Sequence, residues 1–97
     1  MKISKNKAGN VLSVSLEGRL DVNSFQDFEK EVEDLEGVET LILDLKALEY
    51  ISSSGLRVIL TLQKRMSEQG KMIIKNVCPD VMDVFDMTGF SDILTIE

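Results

Sequence analysis

The stretch LILDLKALEYISSSGLRVIL, residues 41–60, joins a run of apolar residues to a cluster of serines and then to a second apolar segment. Leu41–Leu43 is a short continuous apolar run, which is typical of a central, parallel-type strand buried on both faces. The run then breaks, and residues 45–50 are predicted to form a connector with two apolar anchors, Leu48 and Tyr50. The stretch therefore predicts a buried strand that leads, through the serines, into a helix.

That helix is predicted from about Ser54 to Gln69, because apolar residues recur on one side of it and Gly70 follows it. Working outward, strict alternation of apolar and polar residues predicts a half-buried strand at residues 11–17. Four apolar residues spaced three or four apart predict a helix that runs to about Leu35, namely Phe25, Phe28, Val32 and Leu35. The remaining predicted elements are a weak strand at residues 2–5, a buried strand at 72–77, a helix at 78–87 and a short strand at 93–96.

These elements alternate in the order β-β-α-β-α-β-α-β, which indicates βαβ units and a fold of the α/β class. We expect a mixed sheet of four to five strands, covered by helices, in which an antiparallel hairpin precedes a largely parallel remainder. No repeat and no linker of low complexity divides the chain. Residues 1–97 are therefore predicted to form a single domain.

Composition narrows the classes of function. The net charge of −6 argues against a nucleic-acid binder and against anionic membrane surfaces, and is interpreted either as a solubility feature or as attraction for a basic partner. No apolar run is long enough for membrane insertion. With no histidine and one cysteine, Cys78, the chain lacks the commonest general base and a metal-ligand set. We expect no metal, no cofactor and no catalytic residue, and a reducing, cytoplasmic location.

The serine turn, residues 52–55, permits four interpretations from its residues alone. One serine can cap the helix, although a cap needs only one side chain. A nucleophilic serine would need a base, for which Lys46 and Lys64 are the candidates. A phosphate cradle would need more glycines than Gly55. A phosphorylated serine would add a charge of about −1.5 to −2 at the start of the helix.

The block at residues 41–60 resembles the signature of STAS domains, in particular that of anti-sigma factor antagonists. Gly18-Arg19-Leu20-Asp21 is similar to the segment that precedes the first helix in this family, and the order of elements agrees over essentially the whole chain. The resemblance implies a protein that binds a kinase-like anti-sigma factor and thereby releases a sigma factor. It also implies that the kinase phosphorylates one serine, that the phosphate weakens binding, and that a serine phosphatase resets the switch.

Carried over residue by residue, the family pattern places the phosphoacceptor on Ser53, with Ser52 and Ser54 as alternatives. It implies a docking surface made of Asp21, Ser52, Ser53, Ser54, Gly55 and Leu56. The sequence departs from the pattern at Ser52, where switching antagonists often carry Asp. Two other functions stay open: a non-switching STAS interaction subunit of a transporter or stress-signalling complex, and a small hydrolase.

The third predicted helix carries more apolar residues than one buried face requires, namely Val81, Met82, Val84, Phe85 and Met87. One interpretation is a buried face with scattered apolar residues at the surface. The other is a partner surface, to which methionine side chains would lend adaptability.

Overall fold

The computed structural model describes all residues from Met1 to Glu97. Four strands, three α-helices and one 3₁₀ helix make up the fold. The strands are β1 (Lys2–Ala8), β2 (Val11–Leu20), β3 (Thr40–Ile51) and β4 (Lys71–Lys75). The helices are α1 (Phe25–Glu31), α2 (Ser53–Gln69) and α3 (Pro79–Met87), and the 3₁₀ helix is Phe90–Asp92.

The four strands form one sheet in the order β1-β2-β3-β4. Strands β1 and β2 are an antiparallel hairpin, whereas β2 with β3 and β3 with β4 are parallel pairs. This mixed α/β sheet confirms the predicted fold class, including its antiparallel start and parallel remainder. The parallel pairs matter for function because they bring the carboxyl ends of β2 and β3 to the same edge of the sheet.

Only one face of the sheet is deeply buried. On that face Leu43 of β3 and its partner Ile74 of β4 are both 0% exposed. On the opposite face the neighbouring pair, Ile42 and Ile73, is only partly buried. The prediction that Leu41–Leu43 is buried on both faces is therefore wrong, because α2 and α3 cover the same side of the sheet.

Strand β3 continues through the segment predicted as a connector. Two irregularities in its pairing with β2 place one extra β3 residue each between successive partners, so that the buried side chains fall three residues apart. Leu45, Leu48 and Ile51 are all buried at this spacing. Because each bulge reverses the alternation of faces, the period of two disappears from the sequence although the strand persists.

Helix α1 is shorter than predicted, since it ends at Glu31 rather than near Leu35. Beyond it the Asp34 carboxylate accepts a hydrogen bond from the Glu36 amide at 3.1 Å, a local turn that competes with helix. Leu35 and Val38 nevertheless reach the core. The predicted face of apolar residues is thus retained without the helix continuing to its end.

The predicted last strand is reduced to one parallel β-bridge between Ile96 and Ile74. The Ile74 amide donates to the carbonyl of Thr95, and the Glu97 amide donates to the carbonyl of Ile74, both at 2.9 Å. The 3₁₀ helix and a hydrogen bond from the Leu94 amide to the Phe90 carbonyl curl the preceding residues. Only Ile96 is therefore left to pair with β4.

Helix α3 begins and ends where predicted, with Pro79 in its first turn. Val81 and Phe85 are buried, Met82 and Val84 pack partly buried against the core, and Met87 is 85% exposed. The apolar surplus of this helix is thus mostly core, with one exposed methionine. None of the helices in the structure has the length and apolar character needed to cross a membrane.

Candidate functional site

The serine turn lies where β3 ends and α2 begins. The Ser52 amide donates to the carbonyl of Leu20 at 2.8 Å, which ties the turn to the end of β2. Ser52 adopts an extended backbone and is the N-cap of α2, and its Oγ accepts a hydrogen bond from the Gly55 amide at 3.4 Å. The capping interpretation therefore holds for Ser52, and it accounts for only one of the three hydroxyls.

The other two serines differ from Ser52 and from each other. Ser53 is the first residue of α2 and is exposed, and its hydroxyl makes no hydrogen bond within the chain. Ser54 is partly buried. Among the three serines, Ser53 is thus the only one that is exposed and whose hydroxyl makes no hydrogen bond within the chain.

Gly55 and Leu56, which the resemblance placed in the docking surface, are buried. A Cβ atom on Gly55 would lie 2.7 Å from Cγ of Leu20 and 3.0 Å from Cγ1 of Ile51. Glycine is therefore needed here so that the first turn of α2 can approach the sheet closely. Gly55 and Leu56 thus fix the positions of their exposed neighbours in the first turn of α2.

Asp21 lies beside the turn because β2 and β3 run in parallel and pair Leu20 with Ile51. Its side chain is 22% exposed, and Oδ1 accepts a hydrogen bond from the Asn23 amide at 3.0 Å. The buried Ser24 locks the same loop, since its Oγ donates to the Arg19 carbonyl at 2.7 Å and accepts from the Asp21 amide at 3.0 Å. The structure thus brings Asp21 and Ser52–Ser54 to the same end of the sheet.

Arg19 and Tyr50 are surface residues of this region that the sequence analysis did not assign to the site. The guanidinium of Arg19 lies over the Tyr50 ring, 4.1 Å from its centroid, and its Nε lies 3.7 Å from Oδ2 of Asp21. Tyr50 is 41% exposed, so its predicted role as a buried anchor is wrong, whereas Leu48 is buried. The position of Tyr50 in the sequence could have indicated this exposure. It lies two residues before the first serine and next to Ile51, so in a strand it points to the opposite face.

The geometry gives no support for a nucleophilic serine. Lys64 follows Ser53 by eleven positions in the same helix, which separates them by about 16 Å along its axis. Lys46 lies in the exposed part of β3, and no hydrogen bond joins either lysine side chain to the turn. A general base must be within hydrogen-bond reach of its nucleophile, and neither lysine is.

The largest cleft, about 660 Å³, lies away from the serines, between the bulged part of the sheet and the start of α3. Three carboxylates and one ammonium group are among its lining groups, those of Glu17, Glu49, Asp80 and Lys46. Cys78 also lines it, and its thiol donates to the Leu48 carbonyl at 3.3 Å. This excess of negative charge disfavours an anionic ligand such as a nucleotide, so the serine turn remains the candidate site.

Comparison with known proteins decides the family. The family model of the STAS domain matches residues 2–97. The chain belongs to the STAS domain family. Its sequence is 32% identical over 99 residues to BtrV, a candidate anti-sigma factor antagonist of Bordetella bronchiseptica, covering 99% of this chain and 85% of that one.

A second relative of this STAS domain is the anti-sigma F factor antagonist of Paenibacillus polymyxa, 31% identical over 100 residues, which cover 99% of this chain and 86% of that one. Among solved structures, an anti-sigma factor antagonist from Mycobacterium paratuberculosis superposes with a TM-score of 0.88 at 18% identity. The superposition covers 98% of this chain and 83% of that one, so the likeness extends over the whole fold.

Proposed function

We propose that this STAS domain is an anti-sigma factor antagonist that binds a kinase-like anti-sigma factor and so releases a sigma factor. Phosphorylation of Ser53 turns the binding off, and a serine phosphatase restores it. The observation that carries the proposal is the exposed, unbonded hydroxyl of Ser53 at the first position of α2, on a buried scaffold. The names of the two sequence relatives, both of which refer to antagonism of anti-sigma factors, support the same function.

Burial and hydrogen bonding favour Ser53 over its neighbours as the phosphoacceptor. Phosphate on Ser52 would modify the oxygen that caps α2 and accepts from the Gly55 amide, so the cap would have to rearrange. Phosphate on Ser54 would have to be accommodated at a partly buried position. Ser53 can accept the group without loss of a contact within the chain.

The chemistry belongs to the partner kinase, since the turn supplies only the acceptor. Oγ of Ser53 would attack the γ-phosphorus of ATP, the bond to the bridging oxygen would break, and ADP would leave. The hydroxyl proton would pass to a base on the kinase. This chain needs no catalytic residue of its own for that reaction, and the product is a phosphate monoester on an exposed helix start.

The phosphate would act on the docking surface through charge. It adds about −1.5 to −2 charge at pH 7 beside Asp21, which is itself acidic. An unpaired charge buried in an interface costs on the order of 2–5 kcal/mol, which weakens binding by tens to thousands of fold. We propose that the partner contacts Asp21 and Ser52–Ser54, while Gly55 and Leu56 hold that surface in place. Such a protein works in the cytoplasm, where sigma factors act.

The test uses a cognate anti-sigma factor that has serine-kinase activity. Incubation with this kinase and ATP, followed by peptide mass spectrometry, is expected to find phosphate on Ser53. Ser53→Ala should abolish the modification, whereas Ser67→Ala, which removes an exposed hydroxyl further along α2, should leave it intact. Phosphate on Ser52 or Ser54 in the unaltered chain would assign the acceptor elsewhere.

Binding is measured separately by calorimetry with the same kinase. Ser53→Asp should weaken the complex by about tenfold or more, because it introduces a charge at the docking surface. Equal affinity of Ser53→Asp and the unaltered chain, together with no phosphate on any of the three serines, would refute the switch. That outcome would favour the non-switching interaction subunit instead.

A further inference from the structure

The three arginines of the chain differ in the contacts that their guanidinium groups make. Arg65 donates to the carbonyls of Val32 and Glu33, at 3.4 and 2.7 Å, and so serves the structure. Arg19 is held by Tyr50 and Asp21. Arg57 is exposed, and its guanidinium makes no hydrogen bond or ion pair within the chain. One arginine is therefore available for an anion that the unmodified chain does not contain.

Arg57 follows Ser53 by four positions in α2. Residues at this spacing lie on the same helix face, with Cβ atoms about 5–6 Å apart, and both of these are exposed. The order also matters, because an anion placed four residues before a cation is more stabilising than the reverse arrangement. A phosphate on Ser53 would consequently stand within reach of the guanidinium in the favourable order.

No carboxylate of α2 competes for Arg57. The first turn of the helix has no acidic residue, and its one acid, Glu68, lies three turns away. From the neighbouring loop, Asp21 is engaged by the Asn23 amide and lies 3.7 Å from Arg19. The donors of Arg57 are thus free to bind a phosphate on Ser53, one helical turn before it.

We propose that Arg57 is the intramolecular counter-ion of phosphorylated Ser53. The guanidinium would hold two phosphate oxygens by paired N–H···O bonds, a geometry that arginine provides and lysine does not. This inference rests on the proposed function for its phosphoserine. Phosphorylation would therefore change the docking surface in two ways. It adds a phosphate, and it pairs the guanidinium of Arg57, which is then no longer free to bind a partner.

The test needs neither the kinase nor any partner. Phosphoserine is installed at position 53 during translation, and its second ionisation, ordinarily near pH 6, is followed by ³¹P NMR. A nearby cation favours the dianion and lowers this pKa. Arg57→Gln should therefore raise the pKa of the phosphoserine by about 0.3 units, the size of an exposed i,i+4 pair, and Arg57→Lys should keep part of the effect.

Lys64→Gln is the matched control, since it removes an exposed cation from the same helix at about 16 Å from position 53. A pKa that shifts no more in Arg57→Gln than in Lys64→Gln would overturn the proposal. Both substituted side chains are exposed, so the variants should fold, which amide spectra of the same samples verify. A kinase that phosphorylates none of the three serines, together with binding unaffected by Ser53→Asp, would refute the proposed function, but that result would not alter this titration.

Discussion

Gly55 sets how closely α2 approaches the sheet. The helix starts directly after β3, and its first turn lies against the side chains of Leu20 and Ile51. Leu20 is completely buried, so a shift of its side chain would disturb the packed residues around it. The position of the serine turn, and with it the accessibility of Ser53, therefore depends on the absence of a side chain at residue 55.

We expect Gly55→Ala to lower the free energy of unfolding by about 1–3 kcal/mol, because the added methyl group overlaps Leu20 in a packed core. The better helix propensity of alanine, about 1 kcal/mol, would offset only part of this cost. Urea denaturation measures the change, and Lys64→Ala, an exposed substitution in the same helix, should stay within about 0.5 kcal/mol. A variant more stable than the parent would contradict the close packing.

Among the elements, helix α2 holds in place the segment that follows the short helix α1. Arg65 and Gln69 of α2 donate to backbone carbonyls of the residues that follow α1. Gln69 alone serves two of them, since its Nε2 lies 2.7 Å from the carbonyl oxygens of both Leu35 and Val38. Carbonyls left without a helical partner are thus satisfied by side chains of another helix.

Gln69→Ala should therefore destabilise the protein by about 1–2 kcal/mol, because the Val38 carbonyl loses its donor and the Leu35 carbonyl keeps only the Val38 amide. Native-state hydrogen exchange should show the loss concentrated in residues 32–38, the segment that Gln69 contacts. Glu68→Ala provides the comparison, as it truncates an exposed side chain at the adjacent position. If both variants lose the same stability, the hydrogen bonds of Gln69 contribute nothing measurable.

Prediction from sequence succeeded for elements whose apolar residues recur at the regular spacing of a strand or helix. It failed where pairing with a neighbouring strand interrupts that spacing. Strand β2 alternates regularly over its first seven residues, and α2 repeats its apolar residues at helical spacing, so both were identified. The end of β3 was missed because two bulges interrupt its alternation. The functional role of the serines and of Asp21 stays a prediction, and the exposure of Tyr50 follows from those bulges, which are properties of the pairing between strands.

For the whole molecule, the decisive feature is a sheet covered on one face only. Two adjacent residues of β4 show how the two faces differ in burial. Ile74 is fully buried under the helices, whereas Ile73 lies on the open face and is partly buried. All three helices, including the first turn of α2, lie on the same side of the sheet. The serine turn therefore lies at the edge of a two-layer structure, where a partner can approach it.

Ile74→Ala is expected to lower the free energy of unfolding by about 3 kcal/mol, through the loss of buried surface and the cavity left behind. Ile73→Ala removes the same atoms from the next residue, yet should cost about 1 kcal/mol because its side chain is only partly buried. Chemical denaturation of the two variants under identical conditions gives the comparison. Equal losses would mean that the second face of the sheet is covered as well.

The sequence by itself determined the class of the fold, the order of its elements and the serines at the start of a helix, because periodicity, capping and turn residues act over a few neighbouring positions. The tertiary structure decided which serine is free, since the hydroxyl of Ser52 binds the Gly55 amide and Ser54 is partly buried against the fold. It also placed Asp21 beside the turn and left Arg57 without a partner. Burial and hydrogen bonding depend on residues far apart in the chain, and they are settled only when the sheet and helices pack together.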